Sequence, residues 1–444
     1  MKNQRLIFTI IILIISISIV KAQEKISLSQ AITIALNQNS SIVQSTNSLR
    51  TSQAAVKNAY GDLLPSLSLS GSWGWQHISD NTGTTQIDYL GNEQTVSASE
   101  TESRSYSLSL GGSVTLFDGL SSLKSISQKK NDLTSARLEL EKLKQDAILQ
   151  TVNLFITVIN DEKILAFQEE NYKYNTEMLE KIKQMYELKM IAIVDLYSQE
   201  YETANSKLAY IQAKNDYEKA ILSLLTYLSK EVTLDYTFEL DSTNTLNIAE
   251  NLDNFGPLYE TALSRRSDFQ SEKLQVENSE YQLTIANSDL YPSFSGSYGL
   301  STSAVTPGDL FSRKVYSVGL SLNLPIFSHW STEYSIESAK VQIDNESETL
   351  KALERQIKSE VKSSALDLQS SKLQEEVTKT ALKSAKETWD IKKEKYTLGA
   401  TTFIDQQQSY NDYIDAMNNS IAAESNYTYK KYELLNVLGL LDVE

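Results

Sequence analysis

The sequence predicts a mixed α and β membrane protein, exported and assembled from more than one chain. Three observations predict it. Four segments alternate apolar with small polar residues over about the length of a membrane-crossing β-strand, roughly 10 residues. Two proline-free stretches of roughly 70 residues each, about 100 Å as helix, carry seven-residue apolar repeats. And the chain of 444 residues repeats itself in tandem.

The first residues read as a signal peptide over 1–22. Lys2 and Arg5 precede an apolar run from Leu6 to Val20, and Val20-Lys21-Ala22 offers a small-residue cleavage site before Gln23. There is no cysteine, which excludes disulfides, thiolate metal ligands, a cysteine nucleophile and a lipid-modified cysteine. The net charge is −16, and loss of residues 1–22 removes Lys2, Arg5 and Lys21 but no acid. So acidic a chain is no nucleic-acid binder, because phosphate neutralisation needs clustered Lys and Arg.

The strands come in two pairs. In Pro65–Trp75, Leu67, Leu69, Trp73 and Trp75 alternate with Ser66, Ser68, Ser70 and Ser72. In Tyr106–Phe117, Tyr106, Leu108, Leu110, Val114 and Leu116 alternate with Ser107, Ser109, Ser113 and Thr115. The second pair is 292–301 (Phe294, Tyr298 and Leu300 against serines) and 315–327, where Tyr316, Val318, Leu320, Leu322, Leu324 and Ile326 oppose Ser317, Gly319, Ser321 and Asn323. A period of two places each set on its own face. Aromatics sit at or near the strand ends (Trp73, Trp75, Tyr106, Phe117, Tyr291, Phe327, Trp330), where a bilayer interface would hold them.

The helices follow from the repeats. Ile126, Leu133, Leu140, Ala147 and Leu154 are seven apart, and after a four-residue stutter so are Val158, Leu165, Tyr172, Leu179 and Tyr186. Long helices are expected over about 120–189 and 332–398, shorter returning helices over 193–228 and 403–438, and single opening helices over 27–63 and 257–290. All five prolines fall outside the long runs, as helix interiors require.

Duplication orders these elements. Pro65 pairs with Pro292 and, at the same offset, Ala35-Leu36 with Ala262-Leu263. A shorter offset then pairs Phe117 with Phe327, Tyr186 with Tyr396, Asp195 with Asp405 and Leu228 with Leu438. The offset changes in the loop between paired strands, Gln76–Ser105 in the first copy against the shorter Thr302–Lys314 in the second. The copies are 23–228 and 257–444, joined by a linker over 229–256. Four strands cannot close a barrel, and a sheet in lipid cannot leave its edges unpaired, so copies must associate. Three copies would supply about 12 strands.

The ordered, doubled set of motifs resembles the TolC family of outer-membrane efflux proteins over essentially the whole mature chain. It comprises the ALxxNxxI-type opening of Ala35–Ile42, Leu64-Pro65 and Tyr291-Pro292 before the strands, TLFDG and LPIFS after them, and the YxLG of Tyr396–Gly399 followed by Asp405. The resemblance implies a homotrimer with a 12-stranded outer-membrane barrel, continued by a 12-helix periplasmic tunnel that is closed at its inner end. It implies a passive channel of a tripartite efflux or type I secretion system, working with a periplasmic adaptor (membrane-fusion) protein and an inner-membrane transporter. Leu188, Lys189 and Met190, and Leu398, Gly399 and Ala400, would be the adaptor-contacting tips. Lys189 stands where the family usually has Gly. Asp195 and Asp405 match acidic positions at the entrance. Tyr396 matches a tyrosine that bonds to the Asp195 position when the entrance is closed. Gln408 replaces a common further acid. A ring of Asp405 would attract cations and repel anions.

Nothing points to an enzyme, a cofactor or a metal. The two histidines, His77 and His329, have no catalytic or ligating companions at a useful spacing, and no glycine loop precedes a helix as phosphate sites require. The competing expectation is an exported coiled-coil scaffold or surface protein whose serine-rich strands form a soluble cap.

Overall fold

The structure, a computed structural model, describes residues 24–79, 84–87, 89–96, 100–232, 236–240 and 254–441. The expected signal peptide and much of the expected linker lie outside the described residues. A short strand β1 (Glu24–Ser27) leads into α1 (Leu28–Gln38) and α2 (Ser40–Gly61). Then come β2 (Ser68–Ser79), a hairpin of β3 (Thr84–Ile87) and β4 (Glu93–Val96), and β5 (Glu100–Phe117). Helices α3 (Ser121–Glu187) and α4 (Ile193–Tyr227) and strand β6 (Tyr236–Glu239) complete the first half. The second half runs α5 (Phe255–Arg265), α6 (Ser267–Ser288), β7 (Ser293–Ala304), β8 (Lys314–Asn323), α7 (Ser331–Thr397) and α8 (Phe403–Val437).

Helix lengths match between halves: α1 and α5 have 11 residues, α2 and α6 22, α3 and α7 67, and α4 and α8 35. Left-handed backbone recurs as well. Gly119, Leu120, Lys189 and Ser229 have positive φ, and so do His329, Trp330, Gly399 and Gly439, each at one fixed offset from its counterpart.

Each expected opening helix is in fact two. Asn39 (φ −62°, ψ 126°) and Arg266 (φ −65°, ψ 122°) are extended. Asn39 Oδ1 accepts the Ser41 N–H at 2.9 Å, which starts α2 anew. Arg266 is locked by Asp268 (2.7 Å) and Glu360 (2.6 Å). The strands also differ at their ends. β2 and β5 extend to Ser79 and Glu100, into what reads as loop, and that loop holds the β3–β4 hairpin. β8 stops at Asn323, ahead of Pro325, which has no N–H to continue a ladder.

The chain forms two compact units, each assembled from both halves: Met1–Asn47, Leu138–Phe269 and Leu353–Glu444, and Ser48–Arg137 with Gln270–Ala352. The second contains an antiparallel sheet in the order β2-β5-β7-β8. Register sets serine against serine on one face, with Ser70 and Ser109 hydroxyls 2.9 Å apart and Ser72 and Ser107 2.7 Å apart. On the other face Leu69 opposes Leu110, Trp73 opposes Tyr106, and Leu300 opposes Tyr316. Nothing among the described residues covers that apolar face: Leu69 is 67% exposed, Leu320 70% and Val318 87%. β2 and β8 are the edges, and their outer N–H and C=O rows lack a strand partner among the described residues. Gly112 lets the Tyr298 ring cross β5, so that its hydroxyl donates to the Ser66 carbonyl; a Cβ at Gly112 would collide with that carbonyl.

The first unit has its core where β1 pairs in parallel with β6 and packs on α1, α3 and α4. Ile26, Phe155, Leu224, Leu225 and Phe238 are buried there, with Phe155 and Phe238 edge to face at 5.8 Å. No described helix is long and apolar enough to cross a membrane.

Candidate functional site at the helical turns

Two turns, 188–192 between α3 and α4 and 398–402 between α7 and α8, carry the expected tip residues, and Asp195, Tyr396, Asp405 and Gln408 lie in the helices that flank them. They close identically. Met190 N–H donates to the Met185 carbonyl (2.9 Å) and Lys189 N–H to Tyr186 (2.8 Å), while Ala400 donates to Lys395 (2.8 Å) and Gly399 to Tyr396 (3.0 Å). Each is a Schellman stop with its left-handed residue at Lys189 (φ 59°) or Gly399 (φ 72°). Lys189 therefore adopts the backbone that glycine has in the second turn. Leu188, Met190 and Leu398 are 71%, 66% and 75% exposed, large apolar side chains held in solvent at the turns.

Asp195 and Asp405 both lie in the first turn of their helices. Thr402 caps α8 by accepting the Asp405 N–H at 3.1 Å, and Thr401 Oγ1 donates to Asp405 Oδ2 at 3.2 Å. Hydrogen bonding to the Thr402 and Thr401 hydroxyls, helped by Lys392, holds the Asp405 carboxyl below its ordinary range. Asp405 stays charged and exposed. Tyr396 packs on Phe403 at 5.8 Å, and its phenol is pushed up by burial and by the Asp195 charge. No hydrogen bond joins Asp195 and Tyr396 within one chain. Gln408 donates to Asp412 Oδ1 at 2.9 Å. Asp405, Gln408, Asp412, Asp415 and Asn419 make one exposed polar stripe along α8, with Asp412 and Asp415 supplying acid beyond Gln408. Sequence reading missed these two; Asp412 four residues after Gln408 and Asp415 three after Asp412 was the available signal.

Above the turns the helices lie side by side in the order α4, α3, α8, α7. Gln199 of α4 donates to Asn175 of α3 (3.1 Å), Tyr410 of α8 donates to Asn171 of α3 (3.1 Å), and Trp389 of α7 stacks on Tyr413 of α8 (5.2 Å). The two outer helices share a property. α4 buries a seven-residue series of small or polar residues, Gln199, Ser206, Ala213 and Ala220, against α3. Its opposite side exposes Val194, Tyr197, Tyr201, Leu208 and Ile211. α7 likewise buries Ile357, Val361, Leu368 and Ser371 and exposes Leu366, Leu373, Val377 and Ile391 on its other side, seven apart but for one four-residue step and continued by Leu398 in the turn. Both exposed seams are coiled-coil faces without a partner among the described residues. Among the described residues no group of His, Cys, Asp and Glu could hold a metal ion.

The profile of the family described as "Outer membrane efflux protein" matches residues 31–230 and 258–440. The chain is 22% identical over 313 residues to outer membrane protein TolC of Escherichia coli K12, covering 67% of this chain and 62% of TolC. It is 20% identical over 335 residues to outer membrane efflux protein BepC of Brucella suis, covering 74% of this chain and 71% of BepC. The chain thus spans less than two thirds of TolC. Among solved structures, the Campylobacter jejuni CmeC outer membrane channel superposes with a TM-score of 0.79 at 16% identity, covering 93% of this chain and 85% of CmeC. VceC of Vibrio cholerae gives 0.77 at 14%, covering 93% and 96%.

Proposed function

Since the chain belongs to the outer membrane efflux protein family, matched over both halves, we propose that it is the outer-membrane channel of a tripartite efflux or type I secretion system. Three copies would close a 12-stranded barrel in the outer membrane and a helical tunnel in the periplasm. A periplasmic adaptor would meet the turns at Leu188, Lys189, Met190, Leu398, Gly399 and Ala400, and an inner-membrane transporter would supply the energy. The chain would be a passive conduit with no catalysis and no cofactor of its own. The same reading takes 23–228 and 257–444 as duplicated copies joined through 229–256, in keeping with the matched helix lengths and left-handed residues.

One observation carries the proposal. The four-stranded sheet is serine-faced on one side, bare and apolar on the other, and open at both edges. In water that apolar face is a large exposed patch and an aggregation hazard. In lipid, with edges joined between copies, the same features become an outer wall and a wet lumen. A soluble scaffold explains neither the bare face nor the open edges. Asp405 ringing the entrance would favour cations. The test is conductance of the purified protein in planar bilayers. Cation-selective channels are expected, with selectivity reduced by Asp405→Asn; a protein that never conducts overturns the reading.

A further inference from the structure

The two hairpins of the sheet share one register. Leu69 opposite Leu110 recurs as Gly296 opposite Leu320, and Ser70 opposite Ser109 as Ser297 opposite Gly319. The offsets that relate the halves thus carry β2–β5 onto β7–β8 residue for residue. The central β5–β7 contact has no such repeat among the described strands. The same offsets carry β5 onto β8 and β7 back onto β2, which are the two free edges. Leu110–Leu300, Gly111–Gly299 and Gly112–Tyr298 of the central contact become Leu320–Trp73, Ser321–Ser72 and Leu322–Gly71. That pairing sets apolar face against apolar face and serine against serine. A slip of one residue would mismatch every face, and a slip of two would set Leu322 against Leu69 or Trp73 instead of glycine.

An exchange of glycine recurs where the strands enter the helices. Gly119 (φ 65°), between β5 and α3, lies against Ser288 at the end of α6; a Cβ there would stand 2.8 Å from the Ser288 carbonyl oxygen and 2.9 Å from its Cβ. The repeat of this contact is His329, between β8 and α7, against Gly61 at the end of α2. Here the turn carries the side chain and the helix end carries the glycine. His329 (φ 54°) holds left-handed backbone that glycine would take without steric cost. A Cβ on Gly61 meets nothing within 4 Å in a single copy. A strained residue kept beside an unfilled place marks a contact that one chain alone does not make.

We infer that a second copy of this chain joins the sheet with its β2 on β8 in the register Leu320–Trp73, Ser321–Ser72 and Leu322–Gly71, and that His329 of one copy seats over Gly61 of the next. This contact rests on the channel reading and deepens it by fixing which residues meet.

The test uses the absence of native cysteine. Ser321→Cys combined with Ser72→Cys, oxidised in intact outer membranes, should give disulfide-linked chains, because directly opposed antiparallel residues have Cα atoms about 4.5–5.5 Å apart. Within one copy these strands are opposite edges of the sheet, about 14 Å apart along it, so the bond forms only between copies. Ser321→Cys with Ser70→Cys, or with Gly74→Cys, should link far less. At the base, Gly61→Ser should lower the temperature at which the oligomer dissociates on gels. Adding His329→Gly should restore it, since the pair then reproduces the Gly119–Ser288 contact. Equal or greater linkage at the shifted pairs, no linkage by reactive cysteines at the expected pair, or a Gly61→Ser oligomer as heat-resistant as the parent overturns the proposal, as does failure of His329→Gly to restore it. An oligomer that conducts ions but fails these tests leaves the channel reading standing. Linkage in the expected register in a protein that never conducts removes the channel reading alone.

Discussion

Lys189 is the residue at which the two halves differ most tellingly. It holds φ 59° where its counterpart Gly399 holds 72°, and left-handed backbone costs a side-chain-bearing residue roughly 1–2 kcal/mol. Glycine recovers that but loses more entropy on folding, about 0.5–1 kcal/mol. Lys189→Gly should therefore stabilise each chain by about 0.5–1 kcal/mol, seen as a higher midpoint in thermal melts, while Gly399→Ala should lower it. Asp268 gives a pH signature. Burial alone would raise its carboxyl, but Arg266 outweighs burial through hydrogen bonds and charge and holds it low. A depressed folded value means a contribution fully present above the ordinary carboxylate value of 3.8 and lost as pH falls through the folded one. Asp268→Asn should accordingly lower the midpoint at neutral pH and do so less and less as the solution is acidified. The Lys189 backbone was signalled only by the family resemblance, which puts Gly there, and the Arg266 lock was not legible beforehand. Lysine at a helix stop looks like any solvated charge, and Arg266 extends one residue of backbone without a proline or glycine to announce it.

The strands show what sequence conveys well. Alternation of serine with leucine, valine and aromatics placed all four, because a period of two allows only one face to each set. Their ends were less legible. Pro325, with no N–H to offer, ends β8 at Asn323, whereas β2 and β5 run on through polar residues that pair as readily as they would loop. Gly112 is the element's weak point, since Tyr298 bonds to Ser66 across it. Gly112→Val forces β2, β5 and β7 apart at mid-sheet and should cost about 1–3 kcal/mol as overpacking does. Reduced recovery of the folded assembly from outer membranes, with Gly308→Ala in the open β7–β8 connection as an unaffected control, is the expected result. Each opening helix, expected whole, breaks at one extended residue. The Asn39 break had a faint signal, because asparagine is a favoured cap.

At the scale of the whole molecule, heptads announced the helices but did not show that more than one face of a helix packs within the chain. α3 lies between α4 and α8, so residues outside a single seam, such as Val152, Phe155 and Ile159, are buried too. On α4 the usual logic is inverted: small Ser206, Ala213 and Ala220 face inward while Tyr197, Tyr201 and Leu208 face out. That inversion has a physical reason if the outward seam meets another chain, and α7 at the far side of the layer offers the complementary one. The sequence placed Asp195, Tyr396, Asp405 and Gln408 beside the helical turns but did not show their couplings; Gln408 acting on Asp412 depends on a rotamer that no pattern encodes. The central claim is that copies of this chain close on one another through these outer seams. The most direct measurement pairs Tyr201→Cys with Ile391→Cys in a chain that has no native cysteine, treated with a bis-maleimide in intact outer membranes. Closure through these seams gives a ladder of one, two and three chains that stops at three and is absent from either single variant. Monomer alone, with both cysteines shown to be reactive, would contradict it.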